Sequence, residues 1–209
     1  MKKLILLFCA VTIGIGAFSQ ILTSPPEEED DFKTIFDGQK IKISGFGGPF
    51  MRFGSIDGEF AHFMGGHGGI LLNDFYVGGY GMGLTNHISG DKYNQDYTVE
   101  FGHGGLMTGI NIFGKKAIHP NFYTLFGWGS ATIKEDYEDD FDFYDNVIDD
   151  DESIFVIEPS LEIEMNFTRF FRVALGGSYR FVTGVDLVGY DDADFSGPSA
   201  SLSFRFGWF

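Results

Sequence analysis

Residues 153–183 constrain this chain more than any other stretch. Phe155, Ile157, Pro159, Leu161, Ile163, Met165 and Phe167 share one parity, and Val156, Glu158, Ser160, Glu162, Glu164 and Asn166 share the other. The alternation resumes with Phe171, Val173, Leu175, Gly177, Tyr179 and Phe181 against Arg172, Ala174, Gly176, Ser178 and Arg180. A period of two means strands, and the short gap between the runs means a hairpin. Pairing Phe167 with Phe171 places Glu158 opposite Arg180, a favourable cross-strand match of charge. One face of the hairpin is apolar and aromatic; the other carries three glutamates and two arginines. A soluble sandwich buries the apolar face, whereas a transmembrane barrel turns it to lipid and keeps the charges in its lumen. The remainder of the chain separates these two.

The chain opens with Lys2 and Lys3, an apolar run from Leu4 to Gly16, and then Ala17, Phe18, Ser19 and Gln20. A basic start, a short apolar core and a small-x-small site predict a cleaved secretory signal peptide over residues 1–19. Cys9 lies inside the apolar run without the small residue before it that a lipid-anchor signal needs, so no lipid anchor is expected. After cleavage no cysteine is left, which excludes disulfides and thiolate chemistry. The formal charge is −16, and it becomes −18 once Lys2 and Lys3 leave, which argues against nucleic acid as a partner. With 25 Phe and 9 Tyr the chain is far too aromatic for a solvated polymer. Beyond the signal no run is long and apolar enough for a membrane-spanning helix. Residues 20–38, with Pro25, Pro26 and the acids Glu27 to Asp31, are expected to form an acidic periplasmic leader, and a barrel domain is expected over 39–209.

Eight segments of strand character follow. The first runs from Lys40 to Phe53, ending in a turn at Ser55–Gly58, and the second covers Glu59 to Leu72 before a tight turn at Asn73-Asp74. The third and fourth cover Phe75 to Asn86 and Tyr97 to Phe113, and the fifth Asn121 to Lys134. The hairpin supplies two more, and Pro198 to Phe209 is the last. Connections after the even segments are short or basic. Those after the third, fifth and seventh are longer, and two are acidic: eleven acids lie between Glu135 and Glu152, and Asp186, Asp191, Asp192 and Asp194 follow the hairpin. An even number of strands with alternating short turns and long loops is the pattern of an outer-membrane barrel. A change of apolar parity near Gly102–Gly105 predicts a bulge in the fourth segment. Pro159 predicts a bulge or local distortion, because proline donates no ladder bond.

With these features the chain resembles the small eight-stranded outer-membrane barrels of the OmpA/OmpX type, especially the glycine-rich versions of Bacteroidota. The resemblance covers roughly residues 40–209 and rests on the signal peptide, the eight segments and the ending Ser201-Leu-Ser-Phe-Arg-Phe-Gly-Trp-Phe209. It implies an all-β fold, an eight-stranded antiparallel up-and-down transmembrane β-barrel in the outer membrane of a Gram-negative bacterium. It implies further that the terminal strand, with Phe204, Phe206, Trp208 and Phe209, is the signal read by the barrel-assembly machinery. Phe209 is out of phase with the outward set of Trp208, Phe206 and Phe204. In such a barrel Glu158, Glu162 and Glu164 with Arg172, Arg180 and Arg205, joined by Lys42 and Arg52, form a paired charge network in the lumen, a plug that fixes register. A proton or ion path is the alternative role for that network.

Some eight-stranded barrels modify lipid A with a serine or histidine at the outer rim. His87, with Ser89 and Asp91 near it in sequence, is the residue such an enzyme would use here, although a triad needs all three groups in contact. His119 precedes Pro120 in a basic turn and is expected in solvent; His62, His67 and His103 are expected in the lumen or at an interface. Asp139, Asp140, Asp142, Asp145, Asp149, Asp150, Asp151 and Glu152 make a dense oxygen field without the glycine and spacing of a calcium loop. Its expected role is a solvated acidic surface, open to divalent cations or a surface partner. No catalytic residue, cofactor or resident metal is predicted. The function expected is that of a non-enzymatic barrel with a structural or surface-interaction role, partnered by outer-membrane lipid. The alternatives are a rim-histidine lipid-modifying barrel and a soluble lipocalin-like binding barrel.

Overall fold

The computed structural model describes residues 41–88, 97–135, 150–187 and 189–209. The predicted signal peptide and acidic leader, Ser89 and Asp91, and the acids between 136 and 149 lie outside these residues. Among the described residues eight antiparallel strands close into one barrel, each paired with its sequence neighbours and β1 with β8. They are β1 Ile43–Ile56, β2 Glu59–Leu72, β3 Phe75–Leu84, β4 Tyr97–Asn111, β5 Ile118–Glu135, β6 Asp150–Asn166, β7 Phe171–Thr183 and β8 Gly197–Gly207. The sheet is the one the alternation predicts. Four strands reach past their expected ends: β1 runs on to Ile56, β5 starts three residues early at Ile118, β6 starts at Asp150 and β8 at Gly197.

Register fixes the shape. Stepping across the paired residues Ile43, Leu72, Phe75, Ile110, Phe122, Leu161, Gly177 and Ala200 leads back to β1 at Phe53, ten residues beyond the start. A stagger of ten over eight strands requires a strand tilt of about 40° and leaves an interior that side chains fill. The two-residue turn at Asp57-Gly58 has positive φ at both positions (48° and 81°), matching the twist of the strands it joins. Asn73, at φ 59°, turns the chain between β2 and β3 and accepts the backbone N–H of Lys42 at 2.9 Å.

Outward and inward positions alternate without a slip. Outward positions such as Phe75, Leu106, Phe122, Leu161, Ile163 and Leu175 are large, apolar and exposed. Among the residues whose side chains are described, the outward positions of all eight strands carry no Asp, Glu, Lys or Arg except Glu100, near the loop end. A closed barrel with a continuous, charge-free apolar belt outside and charged groups inside is inverted relative to a soluble protein. The belt faces lipid, and the molecule is built as an outer-membrane barrel.

The register contradicts the bulge expected in β4, and at Pro159 it shows a local distortion of the ladder without a bulge. Pairing of β4 with β3 and with β5 is continuous through Gly102–Gly105. The parity change has another cause: the interior itself turns apolar toward the loop end. Val99, Phe101, His103 and Met107 all point inward and are buried, while Leu106 and Ile110 point to lipid. At Pro159 the β6–β7 ladder skips two residues between Ile157↔Phe181 and Ser160↔Ser178, yet register is the same on both sides. The missing N–H interrupts the ladder and inserts nothing.

Candidate functional site: the charged interior and the closed mouth

The inward face of β6 supplies Glu158, Ser160, Glu162 and Glu164, one every second residue, and all four are buried. The strands that face them supply the cations. Arg205 of β8 donates to Glu164 Oε2 at 2.6 Å and lies 3.4 Å from Glu162 Oε2. Arg172 of β7 donates to Glu164 Oε1 at 2.6 Å. Arg52 of β1 reaches across the barrel to Glu158, with Nε 2.9 Å from Oε1. Its Nη1 lies 3.6 Å from Glu162 Oε1, within ion-pair range but too long for a hydrogen bond. Neutral groups complete the carboxylates' shells. Tyr123 donates to Glu162 Oε1 at 2.7 Å, Ser203 donates to the same oxygen at 2.8 Å, and Ser178 donates to Glu158 at 2.5 Å. The Asn121 amide is satisfied with its oxygen toward the Arg205 guanidinium (2.9 and 3.1 Å) and its NH2 toward Asn111 Oδ1 (3.1 Å). Aromatic rings flank the cations: Arg205 lies over Tyr76, Tyr123 and Phe46, and Arg52 over Phe50.

Arg180 does not pair with Glu158, although the register aligns the two positions. Its Nε donates to the Phe195 carbonyl at 2.7 Å and its Nη2 to the Ser55 carbonyl at 2.9 Å, while the guanidinium sits over the Phe63 ring, 4.4 Å from its centroid. Arg180 therefore holds the loop after β7 onto the barrel mouth. That loop, expected only as an acidic connection, contains a one-turn helix, α1 (Asp192–Phe195). Asp191 caps it by accepting from Ala193 and Asp194, and the Asp194 carboxylate accepts the Asp191 N–H in return. Asp192 accepts from the Val185 N–H at 2.8 Å. Three of the four acids of this connection, Asp191, Asp192 and Asp194, are thus structural. The helix drives Phe195, fully buried, against Phe101 and Tyr190. Ile56, Ile88, Val156, Val182 and Leu187 pack into the same apolar cluster. Burial of one such aromatic side chain contributes roughly 1.5–3 kcal/mol.

Lys42 is exposed beside the Asn73 turn and takes no part in the interior network. His119 is the opposite case. It is buried, not solvated, with Nε2 3.0 Å from Glu164 Oε1 and Nδ1 3.1 Å from the Lys116 carbonyl. Sequence held a signal for it: His119, Asn121 and Tyr123 share one parity, and all three point inward. His67 and His103 are interior, with His103 Nδ1 2.8 Å from the Tyr80 hydroxyl. His62 points outward, stacked on Phe53 and hydrogen-bonded to Thr85. His87 is exposed at the rim with Thr98 Oγ1 at 3.1 Å from its Nδ1. Among the described residues no three His, Cys, Asp or Glu side chains converge to hold a metal ion.

In the terminal strand Phe204 and Phe206 stack on Phe171 outside the barrel, and Trp208 is 72% exposed. Phe209 turns the other way, its ring under the Arg172 guanidinium at 3.7 Å.

No family model matches the chain, and a search of curated proteins finds no relative. Solved structures do match it. Neisserial surface protein A is 9% identical with a TM-score of 0.58, covering 80% of this chain and 99% of that one. The N-terminal β-barrel domain of Pseudomonas aeruginosa OprF is 12% identical with a TM-score of 0.50, covering 81% and 100%. At such identities the likeness is one of fold: the chain has the architecture of the small eight-stranded outer-membrane barrels.

Proposed function

We propose that the protein is a non-enzymatic outer-membrane barrel with a structural or surface-interaction role, its short turns toward the periplasm and its acidic loop end outside the cell. The observation that carries this reading is the filling of the interior. Arg52, Arg180, Tyr76, Tyr123, Phe50 and Phe63 are the largest fully buried side chains, and all point into the lumen. The Glu158, Glu162, Glu164, Arg172 and Arg205 network, joined by Arg52, acts as a plug that fixes register, because the three carboxylates come from β6 while Arg52, Arg172 and Arg205 come from β1, β7 and β8, so a slip of two residues would strand several buried charges. Above them the apolar cluster under α1 closes the mouth. A filled barrel offers its loops and its outer wall to partners. In this reading Phe204, Phe206, Trp208 and Phe209 serve as the signal for the barrel-assembly machinery, and the acidic residues beyond β5 meet divalent cations or a surface partner.

The lipid-modifying alternative needs His87 as a base. The test is the lipid A profile, by mass spectrometry, of cells expressing the wild type and His87→Ala at equal levels of folded barrel. The two profiles are expected to match each other and that of cells lacking the protein. A modification present with the wild type and lost with His87→Ala would overturn the non-enzymatic reading.

A further inference from the structure

Among the described residues, charge outside the interior is divided between the two ends. Lys42, Lys115, Lys116 and Arg169 are exposed at the turn end, where the one described carboxylate side chain is Asp74. Every other described carboxylate side chain outside the lumen lies on the loop side, from Asp57 and Glu59 to Asp186 and Asp194. The four cations come from three different connections, namely the approach to β1 and the β4–β5 and β6–β7 turns, so they ring the barrel end.

A collar of aromatic side chains surrounds them. Phe113, Phe167, Phe170 and Trp208 are exposed, and Phe170 packs against Trp208 with ring centroids 5.7 Å apart. Phe113 is the telling member. Its φ is 63°, in the left-handed region that a bulky non-glycine residue rarely adopts. The strained residue projects a ring that is 65% exposed and packs in no core, and the Lys116 ammonium lies 4.6 Å from the ring centroid. Strain held at an exposed aromatic beside a cation marks a contact surface. Aromatic rings flanking cations suit the level of a bilayer where acyl chains meet phosphates, and basic residues there are drawn to anionic lipid.

We propose that the turn end is a docking collar for anionic glycerophospholipids, whose headgroup phosphates meet Lys42, Lys115, Lys116 and Arg169 while Phe113, Phe167, Phe170 and Trp208 sit at the interfacial level. The inference rests on the membrane placement above. Each cation near an anionic surface favours binding about fivefold, and salt screens the effect.

Trp208 lies in the collar and is a local probe once Trp128, at the other end of the wall, is replaced by Phe. The purified barrel is reconstituted in zwitterionic phosphatidylcholine vesicles doped with brominated phosphatidylglycerol or brominated phosphatidylcholine, and quenching of Trp208 is followed against mole fraction. The anionic quencher is expected to reach half-quenching at about one-tenth the mole fraction of the zwitterionic one. The preference should vanish in Lys115→Gln/Lys116→Gln/Arg169→Gln, survive in Lys115→Arg/Lys116→Arg, and shrink at 1 M salt. Equal quenching by the two lipids overturns the collar but leaves the barrel in the membrane. Absence of quenching by either lipid overturns the membrane placement and the collar together.

Discussion

Glu164 binds two arginines and a histidine at once. Three strands deliver donors to it: Arg172, Arg205 and His119 all lie within 3.0 Å of its oxygens. Removing one member of a buried ion network leaves the others uncompensated, at a cost of about 3–5 kcal/mol. Glu164→Gln is therefore expected to lower the urea midpoint of the folded barrel in lipid vesicles by that equivalent, while Asp186→Asn on the surface leaves it unchanged. Glycines give a second residue-scale contrast. A Cβ added to inward-facing Gly129 would fall on the Gly102 carbonyl oxygen, whereas at outward-facing Gly81 it meets nothing within 4 Å. Gly129→Ala should reduce the yield of folded barrel, and Gly81→Ala should fold as the wild type, measured as the fraction of compact, unboiled band. Parity alone places Glu158, Glu162, Glu164, Arg172 and Arg205 on one side of their strands. It does not tell which of them meet. Arg52 and Glu158 are 106 residues apart on strands that are not neighbours in the sheet, so no local pattern couples them. His119 was obscured by its neighbours Lys115, Lys116 and Pro120, which read as a solvated turn, whereas β5 begins at Ile118 and carries its side chain inward.

At the scale of the element, α1 and its loop are where charge misleads. The acids Asp191, Asp192 and Asp194 look like a solvated patch, yet Asp191-x-x-Asp194 is a reciprocal cap, and the turn it stabilises exists to bury Phe195. Loss of an N-cap costs about 1 kcal/mol. Asp191→Ala is expected to raise the rate of proteolytic cleavage within residues 184–196 several-fold without changing barrel stability, and Phe195→Ala should raise it further. Strand existence was legible because eight stretches alternate. Strand ends were less so, since β6 begins among Asp150, Asp151 and Glu152, whose composition says loop while their pairing with β5 says ladder. The bulge expected in β4 is absent for a different reason. Hydrophobic parity reports which face is apolar, and in this barrel that face changes along the strand: lipid is outside along the belt, and the apolar cluster is inside near the mouth.

At the scale of the whole molecule, the described interior is packed with a charge network and an apolar cluster, so no conducting path is expected. Reconstituted in planar bilayers, the protein should give no discrete conductance steps, and deletion of residues 185–196 should not open a pore while the Glu162, Glu164 and Arg205 layer is intact. Steps of fixed size from the wild type would contradict the filled interior.

The central claim is the inversion itself, apolar wall outward to lipid and charges inward. Its most direct measurement uses nitroxides on single cysteines at Leu106, Leu161 and Leu175, in a chain whose own Cys9 is replaced by Ser, reconstituted in lipid vesicles. Collision rates with oxygen, which concentrates in the bilayer, and with a water-soluble nickel chelate are then compared. High oxygen and low nickel accessibility are expected at all three positions. High nickel accessibility at these positions would place the apolar wall in water and contradict the account.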